Sequence, residues 1–156
     1  MRALALIPAL LALALLALSP RAHAYMPPGM ISKRSPYDVG QTLDRLEDLL
    51  KKNGFTVIAR IDDQAIAKAG GQIVAPIQSL IVSLPGFDAA LIESERATGL
   101  EVPMRILCWQ DSNGSVNLTY PSPDQLAQRY NVTSQPVPVQ HMDDLLGSLT
   151  DQAVKP

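Results

Sequence analysis

The chain has 156 residues, 47% of them hydrophobic and 18% charged, with 13 Lys and Arg against 15 Asp and Glu and a formal net charge of −2. Its only basic runs are the pairs Lys33-Arg34 and Lys51-Lys52, too little for binding nucleic acid by counterion release. A single cysteine, Cys108, excludes an internal disulfide framework, so the fold must rest on its hydrophobic core.

The first element is a targeting segment. Arg2 gives a short positive start, Ala3 to Leu18 are apolar, and Ala22-His23-Ala24 has the small residues of a cleavage site. The pattern predicts a signal peptide over residues 1–24, with the mature protein starting near Tyr25. A membrane-spanning helix needs roughly 20 apolar residues, whereas this stretch is shorter, is interrupted by Pro8 and ends at Ser19-Pro20. No cysteine stands at the cleavage point to carry a lipid. The expected product is periplasmic or secreted, with no stable membrane insertion. Loss of Arg2 and Arg21 leaves 11 basic against 15 acidic residues, a charge of −4, and 156 residues less 24 leaves 132, enough for one domain with a real core.

A Pro27-Pro28 arm leads to a short strand over Met30 to Arg34. Asp38 with Gln41 forms a capping arrangement, and Val39, Leu43, Leu46 and Leu50 follow at helical spacing. Lys51 and Lys52 suit the negative end of this helix and Asn53-Gly54 stops it. Period-two alternation then predicts a strand over Phe55 to Asp62, with Phe55, Val57, Ala59 and Ile61 on one side and Thr56, Ile58, Arg60 and Asp62 on the other. A turn or two of helix over Gln64 to Ala69 precedes a strand over Ile77 to Leu84. Next come a helix over Asp88 to Thr98 closed by Gly99, a strand over Met104 to Gln110, and a strand over Ser115 to Tyr120. Asn113-Gly114 between the last two marks a hairpin, because both residues tolerate positive φ. Ser122 caps a further helix with Pro123 in its first turn. After the break at Gln135-Pro136-Val137-Pro138, a last amphipathic helix runs from His141 to Ala153 on Met142, Leu145, Leu146 and Leu149.

These elements predict an α+β two-layer sandwich, a mainly antiparallel sheet with helices on one face. Residues 25–134 form the domain with its N-terminal arm, and residues 135–156 a linker and C-terminal helix. Met104, Ile106 and Cys108 point toward the helices, which makes Cys108 a buried, inert thiol. The other face mixes Ile58, Ile81, Leu107 and Trp109 with Arg60 and Arg105. That mixture is too apolar for a solvated face, and these six residues are the candidate ligand or dimer surface.

Three stretches in order carry a resemblance. Ser35-Pro36-Tyr37 stands before the capped helix. Gly54-Phe55-Thr56-Val57 is followed by Ala59-Arg60-Ile61-Asp62, and Gly99-Leu100-Glu101-Val102-Pro103 leads into Met104 to Asp111. Together they resemble domain-of-unknown-function family 302, over roughly Met30 to Tyr130. The resemblance implies a fold similar to one copy of the TATA-binding-protein-like fold and a tendency to form homodimers, without DNA binding or catalytic residues to carry over. The chain departs from the family pattern at Leu84-Pro85, where Asn-Pro is common, and at Gln110, where an acid is common.

Chemistry-bearing clusters are scarce. With His23 in the signal, His141 is the one mature histidine, so a metal site would need Met26, Met30, His141 and Met142 as soft copper ligands, a minor alternative. No nucleophile elbow or Cys-x-x-Cys occurs, and Asp62-Asp63 and Asp143-Asp144 are adjacent pairs whose side chains diverge. The sequence therefore points to a noncatalytic exported domain without a cofactor. It works as a homodimer or accessory module through the mixed face, with a small apolar or anionic ligand on that face as the alternative. A third arrangement has the C-terminal helix folded over the face.

Overall fold

The side-chain periods set out above are realised in the computed structural model, which describes residues 26–134 and 136–156. The signal peptide expected over residues 1–24 lies outside the described residues. Five strands, β1 (Met30–Ser35), β2 (Thr56–Ile61), β3 (Ile77–Ser83), β4 (Met104–Gln110) and β5 (Val116–Pro121), form one antiparallel sheet in the order β1-β5-β4-β3-β2. Five α-helices occur among the described residues: α1 (Val39–Lys52), α2 (Asp63–Ala69), α3 (Pro85–Ser94), α4 (Pro123–Arg129) and α5 (Pro136–Val154). The fold is α+β, as the patterning predicts.

The local reasons are visible at the caps. Asp38 Oδ1 accepts the Gln41 amide at 2.7 Å to start α1, and Gly54, at φ +86°, reverses the chain after Asn53. Ser122 Oγ accepts the Gln125 amide to start α4. The hairpin between β4 and β5 forms as expected, but by a different turn. Only Gly114 has positive φ, and its amide bonds the Asp111 carbonyl at 3.0 Å while Asp111 Oδ1 accepts the amides of Asn113 and Ser115. The carboxylate thus organises a longer loop, and these two amide bonds, that of Ser115 foremost, hold Asp111 below the ordinary carboxylate value.

The region expected as one helix over Asp88 to Thr98 is α3 followed, after Glu95, by a 3-10 turn over Arg96–Leu100. Pro85 opens α3 because its fixed φ and missing amide suit a first turn.

The core lies between the sheet and the helices. Leu43, Leu46 and Leu50 of α1 meet Leu80, Met104, Ile106, Cys108 and Leu118, all at 0% exposure. Burial pushes the Cys108 thiol up to about 12, in keeping with an inert packing role. The last helix begins five residues earlier than its pattern suggests and is no appendage. It packs against α1, α3, α4 and β1, and buries Val139, Met142, Leu146, Leu149 and Ala153. Its C-terminal carbonyls are held by Arg45, whose Nε donates to Ala153 O at 2.8 Å and Nη2 to Lys155 O at 2.9 Å. It therefore does not fold over the mixed face, the third arrangement considered above.

Candidate functional site

In this register, one row across the face away from the core is Met30, Pro121, Arg105 and Ile81, and the next is Ser32, Thr119, Leu107, Ser79 and Ile61. A third row carries Arg34, Asn117, Trp109 and Ile77. Among the described residues the only α-helix beside this face is the short α2, whose first residue, Asp63, reaches Ser79 and Arg105 and which buries no residue of its own.

Four of the six candidate residues, Ile81, Arg105, Leu107 and Trp109, share the face. Arg60 and Ile58 do not join them, and a β-bulge is the reason. Val57 pairs with Val82 but Ala59 pairs with Ile81, so Ile58 is an extra residue and every later position of β2 changes side. Arg60 consequently pairs with Leu80, a core position, and turns to the helical layer. There its guanidinium bonds the Asp44 carboxylate, the Gly40 carbonyl at 3.2 Å and Gln78 Oε1 at 3.0 Å. Ile58 stays at the edge of the sheet, 54% exposed.

The face forms the floor of an open groove of about 740 Å³. Ile77, Leu107, Trp109 and Thr119 lie at its base. Met26 and Pro27 of the arm contribute to its lining, as do Leu100, Glu101 and Pro103 ahead of β4. The sequence reading missed Ile77 and Thr119, although both have the parity of Leu107 and Trp109. The arm and the 3-10 turn had no local signal, because only the sheet order brings them to the face.

The polar atoms of the groove are largely occupied with each other. Trp109 Nε1 donates to Thr119 Oγ1 at 3.0 Å, and Thr119 exchanges a 2.9 Å bond with Ser32. Arg105 Nη2 meets Asp63 Oδ1 at 2.6 Å and Nε meets Ser79 Oγ at 3.0 Å, while Ser79 donates to Asp63 Oδ2. At the lip, Glu101 accepts from Arg129 at 3.2 Å and from the Tyr130 hydroxyl at 3.0 Å, the latter bond raising Tyr130 above the usual tyrosine value. The arrangement can hold an apolar body against a fixed indole.

The soft-ligand set considered above is not assembled. Met26 and Met30 line the groove, but Met142 is 1% exposed inside the core and His141 lies on the exposed side of α5. Among the described residues no three His, Cys, Asp or Glu side chains are grouped to hold a metal ion. A second cleft, of about 670 Å³, lies between α4 and α5, but Asp124, Asp143 and Asp144 share it without a cation among its lining residues.

Comparison with known proteins agrees with this fold. The family model described as "Domain of unknown function DUF302" matches residues 31–151, reaching well into α5 and beyond the Tyr130 limit inferred from sequence. The crystal structure of an uncharacterized conserved DUF302 protein from Bacillus stearothermophilus superimposes with a TM-score of 0.73 at 20% identity, covering 81% of this chain and 99% of that one. A protein of Brucella suis biovar 1 (strain 1330) named "Fluoride-specific ion channel FluC 1" is 32% identical over 126 residues, which is 80% of this chain and 50% of that protein. A protein of the same name from Brucella abortus biovar 1 (strain 9-941) is equally similar, with 47% of its length covered. The chain thus spans about half the length of the curated relatives it matches.

Proposed function

The chain belongs to the DUF302 family, and from that premise we propose that it is an exported, noncatalytic binding or accessory domain whose working surface is the groove on the open face of the sheet. The observation that carries this reading is the apolar floor of Ile77, Leu107 and Trp109 on the face that the main helical layer leaves open. Concave apolar surfaces of this size are where ligands and partners bind. The noncatalytic part of the reading is supported by Ser79, whose hydroxyl meets Asp63 but which is fully buried and so is not presented to a substrate.

The Brucella relatives support the accessory part. A channel has to cross a bilayer, yet no helix among the described residues is long and apolar enough to do so, and half of each relative lies outside the match. We read fluoride conduction as the work of that other half, with the matched half an appended domain.

Native mass spectrometry of the protein purified from the periplasm of an expressing bacterium tests the proposal. Expected are a chain beginning near Tyr25 and either a retained adduct or a dimer, lost in the Leu107→Ser, Trp109→Ala double variant. A bare monomer, unchanged by that variant, would overturn it. The homodimer is a second reading, favoured by Leu100 at the lip, which is 87% exposed. Sedimentation that shows the same mass in the native and doubly substituted proteins rejects an interface on this face.

A further inference from the structure

We infer that the groove selects an uncharged apolar molecule rather than the anion that Arg105 invites. This rests on the groove being the binding surface, and it names the ligand class. Arg105 is half-exposed and stands where an anionic headgroup would meet a cation, but it is already committed. Asp63 lies 2.6 Å from Nη2, Ser79 fixes Nε, and the same Ser79 hydroxyl donates to the second oxygen of Asp63. These contacts close a ring of three side chains that satisfies its own charge.

The other charged side chain lining the groove is Glu101, which holds Arg129 and the Tyr130 hydroxyl. An incoming anion would face two carboxylates across one guanidinium that Asp63 already neutralises. An incoming cation would compete with Arg105 for Asp63 or with Arg129 for Glu101. Either ion would lose water over Ile77 and Leu107 without gaining an unclaimed partner among the charged side chains that line the groove, and an unpaired charge on an apolar floor is strongly disfavoured.

The neutral polar groups are committed in the same way. The indole N–H of Trp109 is spent on Thr119, and the Thr119 hydroxyl is shared with Ser32. The ring of Trp109 is thereby held as a fixed apolar plate. What the floor offers a ligand is aromatic and aliphatic surface from Trp109, Leu107, Ile77 and Met30, with Leu100 and Met26 on its flanks. An uncharged aromatic or hydrocarbon body gains from that surface and breaks no ion pair.

A matched pair of probes separates the possibilities. N-phenyl-1-naphthylamine is neutral, and 8-anilinonaphthalene-1-sulfonate is nearly the same molecule with a sulfonate added. Trp109 is the only tryptophan, so energy transfer from it reports a bound probe, and the groove substitutions Leu107→Ser and Leu100→Ser place that probe. The neutral probe is expected to bind at least tenfold tighter, and Leu107→Ser to weaken it at least tenfold. Leu100→Ser, at a position 87% exposed and therefore harmless to the fold, should weaken it severalfold and serves if Leu107→Ser fails to fold. Binding of the sulfonate as tightly as the neutral probe overturns the inferred class but leaves the groove as a binding surface. Failure of both probes to show transfer from Trp109 overturns the groove reading itself.

Discussion

Leu146→Ala tests whether the last helix is part of the domain or an addition to it. Leu146 is fully buried on α5, in the layer shared with α1 and β1. Truncating a buried leucine removes its transfer energy and leaves a cavity, at about 2–5 kcal/mol. For a domain of this length each kcal/mol lowers Tm by about 3–5 °C, so a fall of about 6–25 °C is expected. Deleting residues 136–156 goes further. It removes four large buried side chains, Val139, Met142, Leu146 and Leu149, at about 1.5–3 kcal/mol each. Their sum rivals the about 5–15 kcal/mol that stabilises a whole domain, so residues 25–134 alone should not fold. Thermal unfolding followed by far-ultraviolet circular dichroism reads both variants. A cooperative transition of residues 25–134 within a few degrees of that of residues 25–156 would refute the reasoning.

Three further outcomes are expected. Cys108, at 0% exposure and with its thiol pushed up to about 12 by burial, should react with a disulfide reagent at pH 8 at least a hundredfold more slowly in the native than in the urea-unfolded protein; rapid native labelling contradicts its packing role. Asp88 is raised above the ordinary carboxylate value chiefly by burial, against the hydrogen bonds from Ser83 and the Leu84 backbone, and its Oδ1 is buried without a partner among the described residues. The folded state thus binds this proton more tightly, so its stabilisation is full below the ordinary value and is lost as pH rises through the folded one. Urea midpoints of Asp88→Asn should therefore gain on those of the native protein as pH rises from 3 to 7, and a constant difference would rule the assignment out. Finally, Arg60→Gln should leave binding of the neutral probe within twofold of native, because Arg60 serves Asp44 and Gly40 on the helical side. A tenfold loss would place it back at the groove.

Local chemistry made most of the elements legible. Asp38, Ser122 and Gly54 mark boundaries through groups on their own side chains or through φ, so α1 and α4 could be read from a few neighbouring residues. The alternation in β4 survives intact, which is why Leu107 and Trp109 were placed correctly. Arg60 was misplaced because strict alternation assumes an unbroken ladder, and nothing in Val57-Ile58-Ala59 announces the extra residue. The groove sides were illegible for another reason. Met26 and Leu100 are more than seventy residues apart, and they flank one groove only because β1 and β4 both lie beside β5. The same long-range closure ties α5 to α1, so a helix read as following a linker is part of the core.

The irregularity in β2 has a consequence for how copies of the protein can meet. β2 is the last strand of the sheet, and such a rim exposes unpaired amides and carbonyls that invite another strand. The extra residue at Ile58 breaks the even spacing that a docking strand would need, and the bend it introduces turns the rim away from straight extension. Arg60 adds a side chain anchored to α1 just beyond it. Growth by continuing the sheet past β2 is thus discouraged, which protects the chain from ribbon-like polymerisation.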